Sequence, residues 1–220
     1  MRSGWFWGTR EWERYQVAYH QGRPIPPEYK SSPLDDSHDF SDMTEDFVVE
    51  RHKSRVVDLR LHGWNDVRKS YRPIINSVRR LFTIGQCTVG SMDNYRVLHR
   101  EANGGYERDP GTFIRQIKWL TTGEGLLVGA ANSRGRFVSF AYWIMFRGNA
   151  YYMSGPSIED NVQHAVIWQS LCHMKDMGIK LVEMGQVDGP GMTEKERKIA
   201  VFKRGFGGED VPYMVVKREV

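Results

Sequence analysis

From residue 50 onward, short apolar runs alternate with apolar stripes at helical spacing. VVDLRL (56–61) reads as a strand, and Val67, Tyr71, Ile74, Ile75, Val78 and Phe82 then recur at the period of one helix face. Pro73 lies inside that stripe and predicts a kink or a restart of the helix. FTIGQCTV is strand-like, and helices are expected around 92–103 and 111–120. GLLVGAA, an SRGR turn, FVSFAYWIMF, a turn at 147–149 and AYYMSG predict an antiparallel three-stranded meander. A helix is expected from 160 to about 177, stopped by Gly178, with Ser157 and Asp160 resembling a capping box at its start. The stretch 180–184 reads as a strand. Thr193 and Glu196 form a second box, opening a helix through Ile199 and Phe202, and VPYMVVK closes the chain as a strand. Helices, meander, helix, strand, helix, strand pack naturally as an α/β (α+β) fold with a mixed, mainly antiparallel sheet flanked by helices.

Residues 1–50 follow another pattern. Trp5, Trp12, Tyr15 and Tyr19 fall near one face of a short helix, and GRPIPPEYKSSPLDDSHDFSDMTED is rich in Pro, Ser and Asp. The expectation is an aromatic arm and linker (1–50) before a single domain (51–220). Exposed indoles form a sticky patch, so the arm is expected to dock on the main body or on a second subunit, as in a homo-oligomer.

Composition narrows the picture only slightly. With 31 basic and 27 acidic residues the formal charge is +4, which permits a polyanionic partner without requiring one. Cys87 and Cys172 lie far apart with no C-x-x-C spacing, so neither a disulfide framework nor a zinc site is indicated. No metal is expected. No apolar run reaches about 18 residues, and MRSGWFWGTREWERY lacks the apolar core of a signal peptide, so a cytoplasmic chain without a membrane span is expected.

The stretch AVFKRGFGG (200–208) carries the sharpest chemical signal, and it admits two readings. In one, the glycines end a helix, Phe202 and Phe206 fill the core, and Lys203 and Arg204 face the negative end of the helix dipole. In the other, the cations form a site for a negatively charged group, with the glycine backbone turning tightly or approaching something closely.

The helix after Gly155, MGIKLVEMGQVDG, KIAVFKRGFGG and the closing strand together resemble the C-terminal half of the FemAB-like branch of the GNAT acyltransferase superfamily. VRKSYRPIINSVRR and LHREANGGYERDPGTFIRQIKWL resemble further FemAB-like segments, so the resemblance covers roughly residues 53–218. It implies a single-domain member with a sheet splayed between the strand at 150–154 and the strand at 180–184. The activity implied is transfer of an acyl or aminoacyl group to an amine, from aminoacyl-tRNA or an acyl thioester such as acyl-CoA. Lys203 matches the family lysine implicated in stabilising negative charge during transfer. Acetyl-CoA-using members carry an R/Q-x-x-G-x-G/A turn for the pyrophosphate. Here that place holds SGPSIEDNVQ, where Glu159 and Asp160 would repel it.

Acyl transfer requires a proton acceptor, an oxyanion stabiliser and held partners. Lys203, His164 and Asp188 are the catalytic candidates, with Glu183 a further carboxylate in the strand; Phe202, Arg204, Gly205, Phe206, Gly207, Trp168 and Ser154 are candidates for contacting substrate. His164 also reads as a core histidine and Asp188 as a turn former. Arg68, Lys69, Arg72, Arg79 and Arg80 form a basic stripe that reads either as a solvated face or as a dock for a phosphate-bearing partner: tRNA, a nucleotide-linked acceptor or DNA. Three functions remain open: a FemAB-like transferase, a transferase acting on a modified base of viral DNA, and a GNAT-like domain that binds without catalysis.

Overall fold

The computed structural model describes residues 28–30, 47–105 and 109–218. The aromatic arm proposed for the N-terminus lies largely outside them. Among the described residues, eight strands form one sheet: β1 (Glu28–Lys30), β2 (Phe47–Asp58), β3 (Thr83–Cys87), β4 (Gly125–Ala131), β5 (Phe137–Phe146), β6 (Asn149–Ser154), β7 (Leu181–Asp188) and β8 (Glu209–Arg218). Among the same residues, five α-helices accompany them: α1 (Tyr71–Leu81), α2 (Met92–Ala102), α3 (Pro110–Thr122), α4 (Val162–Asp176) and α5 (Glu194–Arg204). The spatial order is β1-β8-β2-β7-β6-β5-β4-β3.

All neighbouring strands run antiparallel except β6 and β7. That parallel pair is joined through Asn149–Leu181, Ala150–Val182 and Tyr151–Glu183 only, and beyond Tyr151 the two strands diverge. The mixed, mainly antiparallel sheet, splayed between β6 and β7, is therefore present. Alternation along the strands sorts the core into two layers. On one face Leu126, Val128, Val182 and Met184 pack with Ile75 and Val78 of α1 and Val166, Ile167 and Leu171 of α4. On the other, Leu127, Phe140 and Tyr142 pack with Tyr95 and Leu98 of α2 and Phe113 of α3.

Several local expectations need correction. Pro73 does not kink the helix, because α1 starts only at Tyr71 and the proline falls in the first turn, where its missing N–H costs no bond. Val67 is extended backbone after a short 3₁₀ turn rather than part of that helix, so Arg68 and Lys69 precede α1. The capping box at Ser157 does not form: Ser157 Oγ donates to Glu159 O, and Asn161, at φ 66°, delays α4 to Val162. The box at Thr193 does form, with Thr193 N donating to Glu196 Oε2 (2.7 Å) and Glu196 N to Thr193 Oγ1 (3.2 Å). The strand expected to end at 184 continues to Asp188 through two register shifts against β2, and Gly185 takes φ 81° at one of them. Bulges of this kind re-aim side chains.

Candidate active site at the splayed strands

The capped α5 runs into the AVFKRGFGG stretch beside β7. Gly205 has φ −65°, an ordinary helical value; its need is space, since a Cβ there would fall inside the Tyr71 ring. Gly208 combines φ 84° with a Cβ position blocked by the Val56 carbonyl, so the turn passes directly onto β2. Phe206 is fully buried, and Phe202 and Phe206 join Tyr71 and His164 in one aromatic cluster with ring centroids 4.3–6.4 Å apart. That cluster fixes the end of α5.

Anchoring the two phenylalanines directs Lys203 over the bulge of β7. Its Nζ donates to Gln186 O at 3.1 Å. Gly185 leaves the room: a Cβ there would stand 3.2 Å from Nζ and 3.6 Å from the Tyr151 hydroxyl. Burial pulls the ammonium down to about 8, against the opposing attraction of Glu183 and Glu196. Glu183 is buried and accepts a hydrogen bond from Ser54 of β2. Burial, then the charges of Glu183 and Tyr213, holds the Tyr151 phenol far above its ordinary value, so it stays a hydrogen-bond donor at any working pH. A cation, a phenol and a carboxylate thus gather where β6 and β7 part, in surroundings where a developing negative charge would be felt strongly.

The other candidates lie elsewhere. Arg204 is committed to structure, with Nε donating to Asp210 Oδ2 (2.8 Å) and Nη2 to Val187 O (3.1 Å). Arg55 holds the other oxygen of Asp210 at 2.7 Å. Asp188 is exposed at the end of β7, accepts from the Gly189 N–H and pairs with Lys53 at 3.5 Å. His164 sits on the aromatic cluster with Nδ1 3.1 Å from Asn161 O, and burial lowers its pKa, so it is neutral at pH 7. Trp168 packs on Trp64 (4.9 Å) and His62 (6.0 Å). Ser154 bonds the Tyr95 hydroxyl in a buried group that includes Gln116, on the α2–α3 face. Gly207 O accepts from Arg55 Nε at 2.7 Å. Lys69 is exposed near the start of α1, while Arg72 is turned onto the carbonyls of Val67 and Asn65. The thiols of Cys87 and Cys172 are pushed up by burial, which keeps both protonated. Among the described residues no group of three or more His, Cys, Asp or Glu is placed to hold a metal, and no helix is long and apolar enough to cross a membrane.

Sequence reasoning passed over His52, Ser54, Tyr151, Gln186 and Tyr213, which the sheet brings to the same region. His52 is buried, with Nε2 3.0 Å from Glu50 Oε2, Nδ1 3.0 Å from Gln186 Nε2, and its ring stacked on Tyr213 at 5.4 Å.

No family model matches the chain, and no curated protein matches it. Solved structures do. The chain is similar to L-PGS from Bacillus licheniformis, with TM-score 0.65 and 14% identity over 94% of this chain and 71% of that one. It is similar to the C-terminal domain of a putative lysylphosphatidylglycerol synthetase from Agrobacterium fabrum, with TM-score 0.63 and 12% identity over 94% and 71% of the two chains. FemX superposes with TM-score 0.62 and 11% identity over 78% of this chain and 63% of that one. At these identities the likeness is one of fold.

Proposed function

We propose that the chain is an acyltransferase that moves an aminoacyl or acyl group from an activated ester or thioester to an amine. The observation that carries this reading is the Lys203 ammonium, held on Gln186 O at the parting of β6 and β7 with Gly185 leaving space beside it. The amine nitrogen attacks the carbonyl carbon of the donor, a C–N bond forms, and the carbonyl electron pair moves onto oxygen. Lys203 stabilises that oxyanion. Collapse of the intermediate breaks the C–O or C–S bond, and the leaving oxygen or sulfur takes up a proton. Glu183, whose charge is felt by both Lys203 and Tyr151, is the group we assign to receive the amine's proton.

Aminoacyl-tRNA is the favoured donor. Glu159 and Asp160 are exposed immediately before α4, where a CoA pyrophosphate would have to sit, and their charges oppose it. Arg68 and Lys69 are exposed, Arg68 stands at the end of α5 with its N donating to Gly205 O at 2.8 Å, and the two cations would suit a phosphate-bearing donor. Likeness of fold to FemX and to a synthetase of a lysyl-bearing lipid supports the same class.

The test offers the protein a panel of amine acceptors with either charged tRNA or acyl-CoA thioesters and reads acceptor masses. One aminoacyl increment from tRNA, absent with Lys203→Met, is the expected result. Lys203→Met with unchanged turnover would remove the catalytic assignment, and no transfer from either donor would leave a binding domain.

A further inference from the structure

The Lys203 site rests on a backbone carbonyl, so its geometry is only as good as the hold on residue 186. That hold comes from β2. Glu50 and His52 lie on one strand, Gln186 on its antiparallel neighbour, and three contacts run in series: Glu50 Oε2 to His52 Nε2 at 3.0 Å, His52 Nδ1 to Gln186 Nε2 at 3.0 Å, and Gln186 O to Lys203 Nζ at 3.1 Å. The carboxylate settles the tautomer, because it accepts and therefore needs the proton on Nε2, leaving Nδ1 to accept from the Gln186 amide. Stacking on Tyr213 fixes the ring plane.

Gly189 makes the contact possible. A Cβ at that position, where φ is 155°, would lie 2.7 Å from Gln186 Nε2 and collide with His52 Nδ1. The bulges matter too. Gln186 pairs with Ser54, two residues from His52 on the same strand, so the pleat puts the two side chains on one face, and the register slips by one residue on either side of the Ser54–Gln186 and Arg55–Gly185 pairs.

Resting on the transferase reading above, we infer that Glu50, His52 and Gln186 form a positioning chain that sets the Lys203 ammonium against the reacting carbonyl. None of the three touches substrate in this role. Their contribution is to the placement of a group whose misplacement by about 1 Å costs on the order of 10²-fold in rate.

The experiment uses the 220-residue chain with charged tRNA and the acceptor found in the donor screen. His52→Phe keeps the stack on Tyr213 and removes both hydrogen bonds. It is expected to lower kcat by roughly 10- to 100-fold with KM changed by less than about 3-fold. The alkaline limb of the kcat profile should move to lower pH, because an ammonium that loses its carbonyl partner gives up its proton more readily. His52→Asn, whose Oδ1 stands near the place of Nδ1, should recover most of the rate. Gln186→Met should repeat the His52→Phe phenotype, and the double variant should be no slower than either single one. A His52→Phe enzyme with kcat within about 2-fold of the parent and an unmoved limb, while Lys203→Met is dead, overturns the chain but leaves the Lys203 assignment standing. Additive losses in the double variant also overturn it. A fully active Lys203→Met enzyme overturns both. If His52→Phe fails to fold, Gln186→Met with parental kcat and an unmoved limb rejects the chain, and reduced kcat with a shifted limb supports it.

Discussion

Lys203→Met separates a site lysine from a structural one, because the two predict opposite changes in stability. Burial lowers the ammonium from its ordinary 10.5 to about 8 in the folded chain. Between those values the unfolded chain binds more protons than the folded one, so this group makes stability rise with pH across that window. Below pH 8 the charge is held at a cost. At about 1.4 kcal/mol per pH unit, the gap amounts to a few kcal/mol, on the order of 3. Replacing the lysine with methionine removes that cost and forfeits the hydrogen bond to Gln186 O, worth about 1 kcal/mol. At pH 7 the variant should therefore be more stable than the parent by roughly 1–3 kcal/mol. The difference should shrink as pH rises through 8 and change sign before 10.5.

Urea unfolding of both proteins at pH 7, 8, 9 and 10 measures this, and groups common to both cancel in the comparison. Activity should move the other way, with kcat falling by about 10²–10³ on the proposed role of Lys203 as an oxyanion donor. Stabilised and inactive is the expected signature. A variant less stable than the parent at pH 7, by an amount independent of pH, would refute the claim that the ammonium is held at a cost.

Two further outcomes follow from the same geometry. Gly205→Ala should destabilise the chain by about 2 kcal/mol or more in urea unfolding, because the new methyl enters the Tyr71 ring although φ is permissive; a cost below about 0.5 kcal/mol would show that α1 and α5 give way easily. Acetyl-CoA should leave the melting temperature unchanged at concentrations that saturate ordinary acetyltransferases, whereas tight stoichiometric binding by calorimetry would show that Glu159 and Asp160 do not guard α4.

Local chemistry made much of the fold legible. The meander was visible because β5 is apolar at almost every position, as befits a strand covered on both faces, and its turns are marked by glycine. The Thr193–Glu196 box was visible because both partners lie within one turn. The Ser157 box failed for the converse reason: a single left-handed residue, Asn161, moved the helix start out of register with the cap. β7 was read too short because Gly185 interrupts the apolar pattern, and the interruption is the bulge on which the site is built. Lys203 could be singled out as a candidate from FKRGFGG. His52 and Gln186 could not, being 134 residues apart and brought together by a register with two slips that neither segment encodes alone.

Arg204 shows how the structure redirects a sequence expectation and how that can be tested. A phosphate-binding guanidinium would need free donors, yet Nε and Nη2 are spent on Asp210 and Val187 O, and Arg55 grips Asp210 from the other side. Burial pushes the Asp210 carboxyl up, but the hydrogen bonds of Arg55 and Arg204 outweigh it and the net pKa falls below 3.8. A depressed carboxylate stabilises the fold above its unfolded pKa and loses that contribution as pH falls through the folded one. Asp210→Asn should thus cost about 2 kcal/mol at pH 7, since two partly buried cations lose their counter-ion. Its difference from the parent should close only below about pH 4, where the parent carboxyl also protonates. Arg204→Met should cost a similar amount, and the pair should be non-additive in a double-mutant cycle. Neither variant should alter the slope of tRNA affinity against salt, because the Arg204 donors are held by Asp210 and Val187 O. A slope reduced by about one counterion in Arg204→Met, with stability intact, would instead return this arginine to the phosphate site that the sequence suggested.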